Sequence, residues 1–421
     1  MQAGRFQMQN TTVSFNQRAL IYALADAIGY IGIDDLYHGK RVGYMAYLVA
    51  QKIGDADLPP DFMFDLGVLH DIGVSTTKAF KHLVAEFEWE NRDQHCEVGY
   101  KRLLKSSSLR GFAEPVRYHH TKWSVLSADD MTPVKRQANL IYLLDRVDAM
   151  AVPYYQDQTL LSATASIKSR VIERSGEHFC PQFVEAFLEV ANNVSFWLGL
   201  EDRSIRFFEE ERLAEDARCE LPIAEVKAIA EIFAEVVDAK SVFTYEHSQG
   251  VARIASLLAK ELGFSSDDRT AIEISGLLHD LGKLRIPDEI LDKPGPLNPV
   301  ERSIMNTHSY ESFQILRRIK GLEEITRWAV AHHEEPGATG YPFGLDGETL
   351  PIQSRILRVA DIIQAVVQDR PYRRGMSEEQ TRDVLQDLIQ KGKIDPEVGQ
   401  LAIRNLKSIM AIASTDDRIE A

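Results

Sequence analysis

The sequence predicts an all-α chain in which one helical unit is built twice. Two observations carry this expectation. Apolar residues recur at three- and four-residue steps almost throughout, while alternating strand patterns are scarce. One series of histidines and aspartates also occurs in two copies, and an internal repeat fixes the domain count.

Ten of the twelve histidines fall into the two copies, so the repeat concerns chemistry as well as folding. The first copy runs His38, His70-Asp71, His95, His119-His120, Asp145; the second runs His247, His279-Asp280, His308, His332-His333, Asp361. The first interval is 32 residues in both copies and the third is 24 in both; the others are 25 against 29 and 25 against 28. Around the first histidines, HGKRVGYMAYLVAQKIG (38–54) stands against HSQGVARIASLLAKELG (247–263), an offset of 209. The second reads as a helix with Gly263 as its stop. DLGVLHDIG (65–73) stands against ISGLLHDLG (274–282), with Gly67 and Gly276 in register.

Later elements follow the same reading. Ile356, Val359, Ile362 and Ile363 surround Asp361 at helical spacing. Segments 285–300 and 335–351, punctuated by Pro and Gly, read as long loops. The charged run 201–220 reads as a solvated helix or hinge, with the domain boundary near residues 205–222. Two domains joined by a helical linker result, 1–205 and 206–421.

At 421 residues the chain is long enough for such domains to have full cores. Its 44% hydrophobic and 26% charged residues are ordinary for a globular protein. A net charge of −15 argues against a nucleic acid polymer as partner, because such binding needs a basic surface. A small anionic substrate stays open, since a local cluster of cations overrides the global field. Three scattered cysteines, Cys96, Cys180 and Cys219, read as packed free thiols. With no signal-like N-terminus and no run of roughly 20 apolar residues, a cytoplasmic chain without a membrane partner is expected.

Imidazole and carboxylate ligands without thiolates suit Fe, Mn, Zn or Ni rather than a structural Cys-type zinc site. Five histidines and two aspartates exceed the needs of one tetrahedral ion. They suit a pair of divalent transition-metal ions with Asp280 bridging, able to generate hydroxide and clamp a phosphoryl oxygen.

The second copy resembles an HD-GYP domain, a branch of the HD phosphohydrolase superfamily. The likeness runs over residues 228–380 and rests on HSQGVARIA (247–255), HDLGKLRIPDEILDKPGPLNPVE (279–301), His308, HHE (332–334), TGYPFGLDG (339–347) and VADIIQAV (359–366). It implies an all-α fold of tandem HD-domain bundles. It also implies metal-dependent hydrolysis of a cyclic dinucleotide, chiefly cyclic di-GMP or else 3',3'-cyclic GMP-AMP, by a metal-bound hydroxide. The implied ligands are His247, His279, Asp280, His308, His332, His333 and Asp361, holding two ions with Fe or Mn favoured and Zn or Ni admitted. Lys283 would contact the scissile phosphate, and Arg370 and Arg373 would hold the substrate's phosphates; ordinary surface charge is the other reading of the arginines. Gly340, Tyr341 and Pro342 either shape the site, with Tyr341 against the substrate and the loop open to signalling proteins, or form a packed turn.

Several positions depart from the family pattern. Phe243 replaces a glutamate that holds a third metal in some members, so two ions are expected. Gln364 replaces an aspartate three residues after Asp361, and Gly337-Ala338 replaces an Asp-Gly. A catalytically weak sensing module is the alternative these changes allow. The first copy keeps His38, His70, Asp71, His95, His119, His120 and Asp145 but has Val74 in place of lysine and no GYP turn. It reads as a second candidate metal site that is regulatory or vestigial, with a second active phosphohydrolase or a metal-free copy as the other readings.

Overall fold

The computed structural model describes residues 12–32, 36–74, 92–128, 131–155, 157–214, 218–240, 247–369 and 374–413. The chain forms two compact units, one Asn16–Arg218 and the other Cys219–Ala421 together with the residues up to Phe15. Both are helical. Among the described residues the one sheet pairs β1 (Thr12–Asn16) with β2 (Arg218–Pro222). The all-α expectation is met.

In the first unit the helices that build or support the site are α1 (Gln17–Gly32), α2 (His38–Ile53), α3 (Pro60–Leu69), α4 (Arg92–Leu103), α5 (Ala113–Tyr118), α6 (Pro133–Ala151) and α7 (Asp202–Ala214). In the second they are α8 (Ile223–Asp238), α9 (His247–Glu261), α10 (Ser266–Leu278), α11 (His308–Leu316), α12 (Glu323–Val330) and α13 (Ile352–Val367). Local chemistry sets their ends. Ser265 caps α10 by accepting the Asp268 N–H at 3.2 Å, and Pro60 and Pro133 open α3 and α6 where no N–H is required. Gly54 and Gly263 stop the repeated helices at φ 66° and 80°, left-handed values that carry no Cβ penalty for glycine.

The same crossing recurs in both units. A Cβ on Gly67 would stand 2.5 Å from the Cα of Gly43, and one on Gly276 would stand 3.0 Å from the Cα of Ala252. The glycines in register therefore let α3 lie on α2 and α10 on α9. Val42, Met45, Leu66 and Leu69 fill the first crossing and Val251, Ile254, Ile274 and Leu277 the second, all essentially buried. Each such side chain contributes about 1.5–3 kcal/mol on leaving water. This close contact brings the His-Asp end of one helix beside the histidine that opens its neighbour.

Two expectations need correction. The run 201–220 is not simply solvated. In α7, Ile205, Glu209 and Arg212 are buried, and the Phe208 ring lies 5.0 Å from Tyr44 and 5.3 Å from Phe64. Charged Glu209 tolerates burial because Lys40 pairs with it at 2.8 Å. The same packing places all of α7 in the first unit, and the compact units part at Arg218, within the 205–222 boundary region read from the sequence. Segment 285–300 is not a continuous loop either. It contains the short helix Asp288–Leu291 and the start of Pro299–Met305, where Asn298 and Glu301 form a capping box. Segment 335–351 carries no helix and is closed by a bridge between Gly337 and Asp346. No helix among the described residues is long and apolar enough to cross a membrane.

Candidate active site and metal centres

Each unit draws its seven candidate ligands from five places: the start of α2 or α9, the end of α3 or α10, α4 or α11 near its start, the end of α5 or α12, and the middle of α6 or α13. A helix end can aim a side chain along its axis, while Asp145 and Asp361 point in from a buried helix face.

In the second unit all seven residues converge, and Asp280 stands between two groups. Its Oδ2 lies 3.6 Å from His247 Nε2 and 3.1 Å from His279 Nε2; its Oδ1 lies 3.4 Å from His308 Nε2 and 4.0 Å from His332 Nε2. Asp361 Oδ1 closes the first group, 3.1 Å from His247 Nε2. His333 joins the second, where the ligand atoms of His308, His332 and His333 lie within 4.8 Å of one another. The two carboxylate oxygens of one residue thus face two separate clusters.

The donor atoms are those a cation needs. His279, His308 and His332 each direct Nδ1 at a carbonyl three residues back, on Gly276, Met305 and Ala329, at 2.6–2.7 Å. An Nδ1–H donated there leaves the Nε2 lone pair facing the centre. His247 Nε2, His279 Nε2 and Asp280 Oδ1 are buried without a hydrogen-bond partner. Buried polar atoms are rarely left so. A pair of cations fits this donor set, and HD domains are metal-dependent.

Electrostatics agree. Burial alone would raise the Asp280 carboxyl, but His279 and the Lys283 ammonium outweigh it and hold Asp280 well below the usual range. Burial pushes His308 down to about 4 and His333 down to about 3, and lowers His332 with help from the adjacent His333 ring. These imidazoles stay neutral and available as ligands.

Lys283 follows Asp280 by one turn and pairs with it, its side chain 20% exposed. Asp361 is 16% exposed, so the centre is open on this side. Tyr341 is half-buried, its ring 4.8 Å from that of His333. Arg370, Arg373 and Phe243 lie outside the described residues. Gln364 is buried, with Oε1 unpartnered, and its amide lies over Gly250.

Sequence reasoning missed Glu334. Fully buried, it accepts N–H bonds from Phe343 and Gly344 on Oε1 (2.6 and 3.1 Å) and from Leu345 on Oε2 (3.0 Å). One carboxylate therefore ties the GYP loop to the His-His pair. Its place directly after His333 was the available signal.

The first unit repeats the arrangement. Asp71 Oδ2 faces His38 and His70 at 3.6 and 3.4 Å, and Oδ1 faces His95 and His119 at 3.4 and 3.8 Å. Asp145 lies 3.3 Å from His38, and its other oxygen 3.7 Å from His120. Behind His38, Asp148 accepts from its Nδ1 at 2.8 Å, from Arg41 at 2.7 and 3.0 Å and from Tyr155 at 2.6 Å. Burial would lower His38, but its bonds to Asp145 and Asp148 push it up to about 10. None of its seven side chains is more than 9% exposed, a cavity beside α1 reaches His38 and Asp71, and Val74 is buried where the second unit has Lys283.

Residues 35–150 and 231–398 each match the HD domain family. The chain is 34% identical to the 3'3'-cGAMP-specific phosphodiesterase 1 of Vibrio cholerae, over 98% of this chain and 96% of that one. It belongs to the HD-GYP phosphodiesterases. Like other members it is a hydrolase; it has two HD domains. A second relative, the cyclic di-GMP phosphodiesterase of Thermotoga maritima, is 35% identical over 43% of this chain and 50% of its own length. A crystal structure of a cyclic GMP-AMP-specific phosphodiesterase of V. cholerae shares the fold, with TM-score 0.63 and 22% identity over 94% of this chain and 98% of that one.

Proposed function

We propose that the second HD centre hydrolyses 3',3'-cyclic GMP-AMP, opening a phosphodiester to give the linear dinucleotide. The observation that carries this reading is coverage. A match that extends through both HD domains is to a 3'3'-cGAMP-specific phosphodiesterase, whereas the T. maritima cyclic di-GMP enzyme matches over 43% of the chain. Cyclic di-GMP, which the family resemblance alone favours, presents the same phosphodiester and becomes the comparison substrate.

His247, His279 and Asp361 would hold one cation, His308, His332 and His333 the other, and Asp280 would bridge them; Fe or Mn suits this nitrogen and oxygen set. When bound, the two ions acidify a water and draw charge from the phosphoryl oxygens. The chain's own contribution is positioning and charge. Lys283, on the open side of the centre, brings an ammonium to the phosphate and offsets the negative charge that grows as the bond to the 3′ oxygen breaks. Glu334 fixes the loop that holds Tyr341 over His333. The first centre, with Val74 in place of lysine, serves a regulatory role. Docking of signalling proteins would fall to the GYP loop, where Phe343 is 43% exposed.

Product analysis with both dinucleotides, on protein prepared anaerobically and loaded with Fe(II) or Mn(II), tests the reading. A higher kcat/KM for 3',3'-cyclic GMP-AMP is expected. Equal or reversed preference contradicts it.

A further inference from the structure

We propose that the first HD centre is a thiolate-bearing metal site, in which Cys96 joins His95, His119 and His120 to retain a cation of the zinc class. This builds on the metal reading of the first unit and does not depend on the chemistry of the second.

Cys96 follows His95 on α4 and is 3% exposed. Its Sγ lies 3.7 Å from His95 Nε2 and 3.6 Å from His119 Nδ1, and the ligand atoms of all four residues fall within 4.8 Å of one another. His95 Nε2 and His119 Nε2 are 3.3 Å apart. Zinc–ligand lengths of about 2.0–2.1 Å to nitrogen and about 2.3 Å to sulfur give tetrahedral edges of about 3.3 Å between nitrogens and about 3.5 Å between nitrogen and sulfur. The His95–His119 and His95–Cys96 separations are close to these edges, and the bond of His119 Nδ1 to the Val116 carbonyl at 2.6 Å leaves Nε2 as its ligand atom.

A second observation points the same way. His120 is 3% exposed and keeps Nε2 without a hydrogen-bond partner. A buried polar atom left so, beside a sulfur and two imidazoles, marks the remaining corner of the donor set.

The second unit supplies the contrast. There Ser309 takes the place of Cys96, its hydroxyl 3.2 Å from His308 Nε2. A neutral hydroxyl is a weak ligand, so that centre is left to imidazole and carboxylate. A thiolate selects zinc, cobalt or ferrous ions over manganese and magnesium. Binding forms the metal–sulfur bond and releases the Cys96 proton to solvent. Because its ligands are buried and the centre lacks the lysine, the cation here serves to be held. The two HD domains of one chain thereby differ in metal preference.

The test uses the full chain carrying Asp280→Asn, which disables the second centre, stripped with a chelator and loaded anaerobically with Co(II). A thiolate-to-cobalt charge-transfer band in the near ultraviolet is expected. It should vanish on adding Cys96→Ser and persist on adding Cys180→Ser or Cys219→Ser. No band with Cys96 intact, whether or not cobalt binds, overturns the proposal, as does a band that survives Cys96→Ser. Serine at this position is what the second unit carries, so the variant is expected to fold. Should it not, X-ray absorption of the zinc-loaded, Cys96-intact chain decides: a zinc–sulfur shell at about 2.3 Å supports the site, and a shell of light atoms alone overturns it.

Discussion

The amide of Gln364 lies over Gly250 so closely that a Cβ on the glycine would come within 2.3 Å of it. The repeat explains this contact. Gly250 and Gln364 follow His247 and Asp361 by three residues, as Arg41 and Asp148 follow His38 and Asp145. The first unit fills the space with a buried Arg41–Asp148 ion pair, and the second has exchanged both charges for a neutral amide against a bare backbone. Removing both partners avoids the cost of an unpaired buried charge.

Gly250→Ala should therefore destabilise the chain by about 1–3 kcal/mol through overpacking. Gly250→Arg with Gln364→Asp should cost less than the sum of the two single changes, because it rebuilds the pair found in the first unit. Urea unfolding of the four proteins gives the coupling; additivity would contradict the shared role of the pair.

Lys283→Met should lower kcat by about 10²–10³-fold, the usual loss on removing one preorganised charge from a transition state. Metal content should not change, since Lys283 donates to Asp280 and supplies no ligand. Elemental analysis beside steady-state kinetics checks both halves.

Glu334→Gln keeps the shape but replaces one accepting oxygen by a donor. At least one loop N–H among Phe343, Gly344 and Leu345 then loses its partner, at about 1–3 kcal/mol. Faster proteolysis within 337–347 is expected, with lower turnover and retained metal.

Asp238, which is not itself a ligand, gives a pH prediction. Burial is the chief cause that pushes its carboxyl up to about 8, against its hydrogen bonds from Ser248 and with help from Asp280. The folded chain keeps this proton up to about pH 8, while the unfolded chain releases it near 3.8. The folded state binds more protons between those values, so stability falls as pH rises through that window. In chelator-stripped protein, Asp238→Asn should gain Tm over the wild type steadily from pH 5 to 8; parallel Tm curves would refute the assignment.

Much of this was legible in the sequence because the repeat exposed it. Matched spacing singled out His247 and His279 as surely as His38 and His70, the order of the series added Asp361 and Asp145, and helical period gave the elements that bring them together. What stayed hidden depends on the third dimension. Glu334 sits outside the repeated ligand pattern, and its partners lie nine to eleven residues on in an irregular loop. Cys96 reads as one packed thiol until the fold sets it beside His119. The burial of α7 was missed because adjacent Phe207 and Phe208, followed by Glu209, Glu210 and Glu211, do not show which ring faces inward. Proline in 285–300 opens short helices at Pro287 and Pro299 rather than breaking structure.

The most direct measurement is turnover of 3',3'-cyclic GMP-AMP by metal-loaded wild type, Asp280→Asn and Asp71→Asn. Asp280 faces both ligand groups of the open centre, so its substitution should abolish turnover, while Asp71→Asn should leave a substantial rate. Undiminished turnover by Asp280→Asn, or loss confined to Asp71→Asn, would contradict the assignment of catalysis to the second unit.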